Sequence, residues 1–183
     1  MTVYTKVTKK NAEEYLNDFL KKKYLSLKWF KSFLIDKNMK EDEINFSPQS
    51  LIKVWEVSSQ YIKKDYKGSF SSNEEKELPL WFYLDKDYVE GYTIESLQII
   101  EALIYYFGEV FILKYNLAWE TFKVSKPITE YTLRPVIMLN DYELYPFQQV
   151  TTASVFTWHE EMNDKLSKTN LYDFYTSLEE YLN

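Results

Sequence analysis

The sequence TIESLQIIEALIYYFGEVFILKY, residues 93–115, decides the fold of this chain. Thr93 has the side chain of a helix N-cap, and the residues after it are apolar on nearly every side of a helical period. Because a helix that is apolar all round is buried all round, we predict a central helix that ends near Tyr115. The apolar part, Leu97 to Leu113, is interrupted by polar residues and is shorter than a membrane span, which favours a buried helix.

Three short segments after this helix have the composition of β-strands. They are Ala118 to Val124, Pro135 to Leu139 and Glu143 to Val150. Lys126–Pro127 and Asn140–Asp141 separate them, and the second pair is a favourable turn sequence. We therefore predict a small antiparallel β-meander against which the central helix packs.

Helical spacing of apolar residues also predicts helices on both sides of this unit. Lys21–Lys22–Lys23 lies within the first of them and predicts a break or bend there. Ser47 and Pro48 predict the start of the second. The four predicted helices cover Asn11 to Lys37, Ser47 to about Lys64, Thr152 to Asp164, and Asn170 to Leu182.

Together these patterns predict a mostly helical α+β fold. The length of 183 residues is that of one domain, with a helical part over residues 1–67 and an α+β part over residues 78–183. Residues 67–77 are polar and unpatterned, which predicts a loop inside the domain.

The composition excludes several chemistries. Cysteine is absent, so disulfides, thiolate metal sites and cysteine nucleophiles are excluded, and His159 is the only histidine. The three glycines are too far apart for a phosphate-binding loop. We therefore expect no cofactor and no metal. The first ten residues contain three lysines and no long apolar run, so we expect no signal peptide and a cytoplasmic location.

Charge is divided unevenly along the chain. Residues 1–67 hold 14 Lys and 9 acidic residues, a balance of +5, whereas residues 68–183 hold 8 basic and 19 acidic residues, a balance of −11. An acidic surface attracts partners of the opposite sign, which favours a basic protein partner over nucleic acid or a membrane. The alternative is that the surface is unevenly charged and binds nothing, which would give the same charge balance.

Glu109 is the most informative single residue, because it lies in an otherwise apolar helix where an unpaired charge is costly. Arg134, the only arginine, is the predicted partner, with Lys114 as a second candidate. Such a pair fixes the helix on the sheet; a ligand or partner site at Glu109 is the alternative. Gly108 beside it predicts a close approach between helix and sheet.

Aromatic residues are concentrated in and between the predicted strands. Because side chains alternate across a strand, about half of them should face the core and the rest are candidates for a binding face. The set contains Trp119, Tyr131, Tyr142, Tyr145 and Phe147.

Two motifs resemble patterns of small bacterial proteins. Tyr106–Phe107–Gly108–Glu109–Val110, followed by Trp119 and Pro135–Val136, resembles a helix ending in an aromatic–Gly–Glu group before a strand that holds a tryptophan. Phe46–Ser47–Pro48–Gln49–Ser50–Leu51 is similar to the segment that opens an upstream helix in the same proteins. The resemblance covers residues 44–150. Some of these proteins resemble immunity proteins, which neutralise a toxin by binding it, and others have no assigned role.

The sequence leaves three hypotheses for function. The first is a cytoplasmic, immunity-type protein that binds a basic protein partner through its acidic part, with Glu109, Trp119, Arg134, Tyr142 and Tyr145 as candidate binding residues. The second is an enzyme with a carboxylate and tyrosine pocket near Glu109, which requires a carboxylate without a cationic partner. The third is a structural protein that self-associates through exposed aromatics of the sheet or the last helix.

Overall fold

The computed structural model describes residues 9–64, 70, 78, 81, 91–122, 134–157 and 167–182. The predicted loop at residues 67–77 and the segment Pro79 to Val89 fall largely outside these ranges, as do Tyr131 and His159. In order along the chain the helices and strands are α1 Lys9–Asp36, α2 Ser50–Ser58, α3 Ile94–Tyr115, β1 Trp119–Thr121, β2 Pro135–Leu139, β3 Tyr142–Leu144, α4 Pro146–Val155 and α5 Asn170–Glu179. Short 3₁₀ turns lie at Glu41–Glu43, Ser59–Tyr61 and Glu180–Leu182.

The fold is α+β, with a buried central helix and a small antiparallel sheet, as predicted. In α3 the Thr93 hydroxyl accepts a hydrogen bond from the Ser96 amide, and the helix ends where Asn116 adopts a left-handed backbone conformation. Most side chains of α3 are buried, and α1 and α4 pack against it. By length and composition α3 could cross a membrane, but 78% of its most apolar window is buried inside the protein.

The sheet has the order β1-β2-β3 and is antiparallel throughout. Trp119 of β1 pairs with Ile137 of β2, and Ile137 pairs with Leu144 of β3. The predicted turn at Asn140–Asp141 joins β2 to β3, with Asn140 at positive φ. The predicted meander is therefore confirmed.

The third predicted strand is too long. Strand β3 ends at Leu144, and Pro146 is the first residue of helix α4. Proline is favoured in the first turn of a helix because its missing N–H has no partner there in any case. The aromatic residues of Glu143 to Val150 favour a strand, whereas Pro146 favours a helix start. Helix α4 consequently begins six residues before the predicted Thr152, and residues 158–164 lie outside the described part.

The prediction at the three lysines was a break or a bend, and the break is wrong because helix α1 is continuous there. Lysine is a good helix former, and Lys22 and Lys23 instead reach two acids of α3. Helix α2 begins after a turn in which the Ser47 hydroxyl accepts from the Ser50 amide, and it ends at Ser58, earlier than the predicted Lys64.

Gly108 lets α3 approach the sheet closely, as predicted. A Cβ atom at this position would lie 2.5 Å from Cη2 of Trp119 and nearer still to Cζ2. The indole of Trp119 therefore occupies the space that any other residue at position 108 would fill. Its ring also meets the ring of Phe19 from α1 edge to face, with 5.0 Å between centroids.

We predict that Gly108→Ala destabilises the protein by about 1–3 kcal/mol, because the methyl group overlaps the indole of Trp119. Helix propensity alone predicts the opposite sign, a gain of about 1 kcal/mol for alanine in a helix interior. Urea unfolding of the two proteins decides between the two effects. Gly108→Ala combined with Trp119→Phe should lose less stability than the sum of the single changes, and a stabilised Gly108→Ala protein would contradict the packing argument.

Candidate functional site

Glu109 is held by two neighbours from different elements. Lys23 Nζ of α1 lies 2.8 Å from Glu109 Oε1, and Trp119 Nε1 of β1 donates a hydrogen bond of 2.9 Å to the same oxygen. The Glu109 side chain is 13% exposed and the Lys23 side chain 25%. Glu109 thus pairs with Lys23, and not with Arg134 or Lys114 as predicted, because α1 lies across α3 at this point.

A second acid of α3 was missed by the sequence reasoning. Glu101 is 4% exposed, and Lys22 Nζ from α1 lies 3.1 Å from its Oε2. Burial raises the pKa of Glu101 more strongly than Lys22 lowers it. The sequence indicates a need for a cation at Glu101 for the same reason as at Glu109, because both are acids inside an apolar helix. The run of lysines in α1 is the source of that cation.

Of the other predicted site residues, Trp119 is bonded to Glu109, whereas Arg134 contacts Tyr145 and Tyr142 contacts Tyr181. Trp119 is buried, with 7% of its surface exposed, and its polar group is bonded to Glu109. The Arg134 guanidinium lies 4.9 Å from the centre of the Tyr145 ring, which in turn stacks on buried Phe147 at 5.2 Å. Tyr142 lies apart from both groups, at the end of the β2–β3 hairpin.

Tyr142 forms part of a surface where the turn between β2 and β3 meets the segment that follows α5. Its ring stacks on the ring of Tyr181 with 4.2 Å between centroids, and the side-chain amide of Asn140 donates to the carbonyl of Tyr181 at 3.0 Å. Asp141 and Glu180 are exposed beside these tyrosines. Neither acid forms an ion pair with any residue in the described ranges. We call Asp141, Tyr142, Glu180 and Tyr181 the hairpin patch.

Burial, with a smaller effect of the neighbouring Tyr181 hydroxyl, raises the pKa of Tyr142. The raised pKa keeps the Tyr142 ring neutral at physiological pH. Tyr181 is 52% exposed, so the patch offers an aromatic face and carboxylates to solvent at the same place.

The far ends of α3 and α5 are joined by a polar cluster that sequence reasoning also missed. Lys114 Nζ donates to Tyr175 Oη at 2.8 Å and to Glu179 Oε1 at 2.5 Å. The hydroxyls of Tyr175 and Tyr115 donate to the same carboxylate oxygen, Tyr175 at 2.7 Å. Nothing in the sequence indicated that these residues meet, because the bonded pairs that join the two helices lie 60 or more positions apart.

The pKa values in this cluster favour a structural role, in which its hydrogen bonds hold α3 and α5 together. Lys114 first, and then the Tyr115 hydroxyl, lower the pKa of Glu179 to about 2. Burial, followed by hydrogen bonds with Tyr115 and Glu179, raises the pKa of Tyr175. A tyrosine base needs a lowered pKa to be ionised near neutral pH, so Tyr175 acts here as a donor of hydrogen bonds.

The arrangement around Glu109 does not meet the requirement of the enzyme hypothesis. That hypothesis needed a carboxylate without a cationic partner, whereas Lys23 is bonded to Glu109. Among the residues that the structure describes, no three His, Cys, Asp or Glu side chains lie close enough to hold a metal ion. Glu101, Glu109 and Glu179 are each paired with a lysine, and the hairpin patch is the candidate site in the described ranges that faces solvent.

Comparison with family models, with curated proteins and with solved structures finds no match to this chain. The assignment of function therefore rests on the residues and their geometry.

We predict that Lys23→Met destabilises the protein by about 1–3 kcal/mol, because it leaves Glu109 poorly solvated and without its counter-charge. Lys10→Met is the matched control, since Lys10 belongs to the same helix but its side chain is 84% exposed in a pair with Glu14. Urea unfolding should show little change for the control. Equal effects of the two substitutions would contradict a specific role for the Lys23–Glu109 pair.

We predict that Glu179→Gln lowers the free energy of unfolding at pH 7 and that this difference disappears in acid. The pKa of Glu179 is about 2 in the folded protein and near 4.5 without its partners, so folding favours the ionised form. This stabilisation is fully present above the higher value and is lost as the pH falls through the lower one. Urea unfolding at a series of pH values measures it, with exposed Glu180→Gln as the control. A difference that does not change with pH would contradict the assignment.

Proposed function

We propose that this protein acts by binding a basic protein partner, and that the hairpin patch is the point of contact. The observation that carries the proposal is the stacked pair Tyr142–Tyr181 at 4.2 Å with exposed carboxylates on both of its chain segments. Lysine and arginine are attracted to aromatic faces and to carboxylates, and the hairpin patch presents both together.

The charge distribution supports the same kind of partner. Residues 68–183 carry a balance of −11. A charge of this size accelerates encounters with a basic protein and disfavours nucleic acid, while contacts at the patch determine how long the complex lasts. Tyrosine is also enriched among residues that dominate binding energy, because a rigid amphipathic ring loses little conformational entropy on binding.

An immunity-type role in the cytoplasm is the specific form of this proposal. Residues 44–150 resemble small bacterial proteins, some of which are similar to immunity proteins, and the resemblance implies no catalytic residues. A basic toxin neutralised by this chain is a partner of the required sort. The partner is then encoded beside this protein, and co-expression of the two protects the cell.

The test compares two variants of equal charge. The patch variant Asp141→Asn with Glu180→Gln removes two negative charges from the hairpin patch. The control variant Asp42→Asn with Glu95→Gln removes two exposed negative charges elsewhere. Affinity for the product of the neighbouring gene, or for a basic protein captured from the native host, is measured by calorimetry at two salt concentrations.

We expect the patch variant to bind at least about tenfold more weakly and the control to bind nearly as well as the unchanged protein. Binding should weaken as salt increases, since ionic attraction is screened. Capture of only acidic proteins, equal weakening by both variants, or no bound protein and no toxin gene nearby would each contradict the proposal.

A further inference from the structure

The outer face of α1 exposes more large apolar side chains than any other element in the described part of the chain. Tyr24 is 69% exposed, Leu25 65%, Ile35 41% and Trp29 37%. Elsewhere among the described residues only Leu113 and Tyr181 are exposed to this degree. Isolated apolar residues at a surface are common, but four within twelve residues of one helix mark an interaction surface.

These four residues lie on the side of α1 that points away from the core. The opposite side is formed by Phe19, Phe30 and Leu34, which are buried. The Trp29 ring packs against the helix itself, because it stacks on Phe33 with 5.5 Å between centroids. A rigid, half-exposed indole between exposed Tyr24, Leu25 and Ile35 is a surface ready to bind without further ordering.

Two charges at the ends of this face are complementary when two copies of the helix run antiparallel. Lys21 lies just before the exposed stretch of residues 24–35, Lys28 lies near its middle, and Asp36 lies just after its end. In the described ranges Lys28 and Asp36 form no ion pair, and Lys21 has only an exposed pair with Asp18. Two parallel helices would place like charges opposite each other, whereas two antiparallel helices place Lys21 near Asp36.

We propose that α1 pairs with α1 of a second copy of this chain, antiparallel and across a two-fold axis at Trp29. At a rise of about 1.5 Å per residue, this axis brings the two Trp29 rings together and places Tyr24 of each copy beside Ile35 of the other. Lys21 of each copy then lies within one residue of the position opposite Asp36. Such an interface is isologous, so it closes at the dimer.

The proposal is independent of the proposed function, because α1 and the hairpin patch share no residue. It also replaces the location expected from the sequence for a self-associating surface, which was the sheet or the last helix. A dimer of this kind presents two hairpin patches to partners.

Sedimentation equilibrium over a wide range of concentrations tests the proposal on the full chain. We expect the unchanged protein to form a reversible dimer and Leu25→Glu to weaken it at least about tenfold. Leu113→Glu is the matched control, since Leu113 is 62% exposed on a different helix, and it should dimerise normally. Circular dichroism verifies that each variant is folded.

Charge reversal tests the antiparallel arrangement. Lys21→Glu alone should weaken the dimer, and Lys21→Glu combined with Asp36→Lys should restore it. A strict monomer at the highest soluble concentration overturns the proposal, as does a monomer that instead binds vesicles of anionic lipid. A dimer that is insensitive to Leu25→Glu, or a double charge reversal that restores nothing, overturns the α1 interface or its direction.

Discussion

The structure depends on two ion pairs that allow two acids to be buried within its most apolar helix. Glu101 and Glu109 lie two turns apart on α3, and each would oppose burial of the helix if it were unpaired. Lys22 and Lys23 of α1 supply both counter-charges from adjacent positions, which is possible because α1 lies across α3 and lysine side chains are long. Burial of both charges therefore depends on the packing of α1 against α3.

The same oxygen of Glu109 also fixes the sheet. Trp119 fills the space left by Gly108 and donates its N–H to Glu109, so one carboxylate connects α1, α3 and β1. At the far end of α3, Lys114 and Glu179 connect α3 to α5 in a similar way. The polar groups that enter the interior at these junctions are paired there. Within the described ranges, the hairpin patch and the outer face of α1 are the two surfaces that we propose for interaction.

Much of the fold could be predicted because local signals agreed with tertiary structure. Thr93 and the apolar run after it gave the central helix, and Asn140–Asp141 gave the hairpin turn. The errors arose where two signals competed, as when β-forming residues after Glu143 outweighed the helix-starting Pro146. The need of Glu109 for a cation was evident from the sequence. Its identity was not, because Lys23 and Arg134 are both distant in sequence and only the path of α1 selects one of them.

The lysines of α1 precede in the chain the acids that they neutralise. During synthesis the lysines therefore leave the ribosome before the segment at residues 94–115, so the cations that neutralise its acids are already present when it emerges. This order matters for a segment that is long and apolar enough to be taken for a membrane span. A chain permuted so that α1 followed α3 would contain the same pairs, yet its central helix would have to wait, exposed to insertion machinery and to aggregation, until the lysines were made.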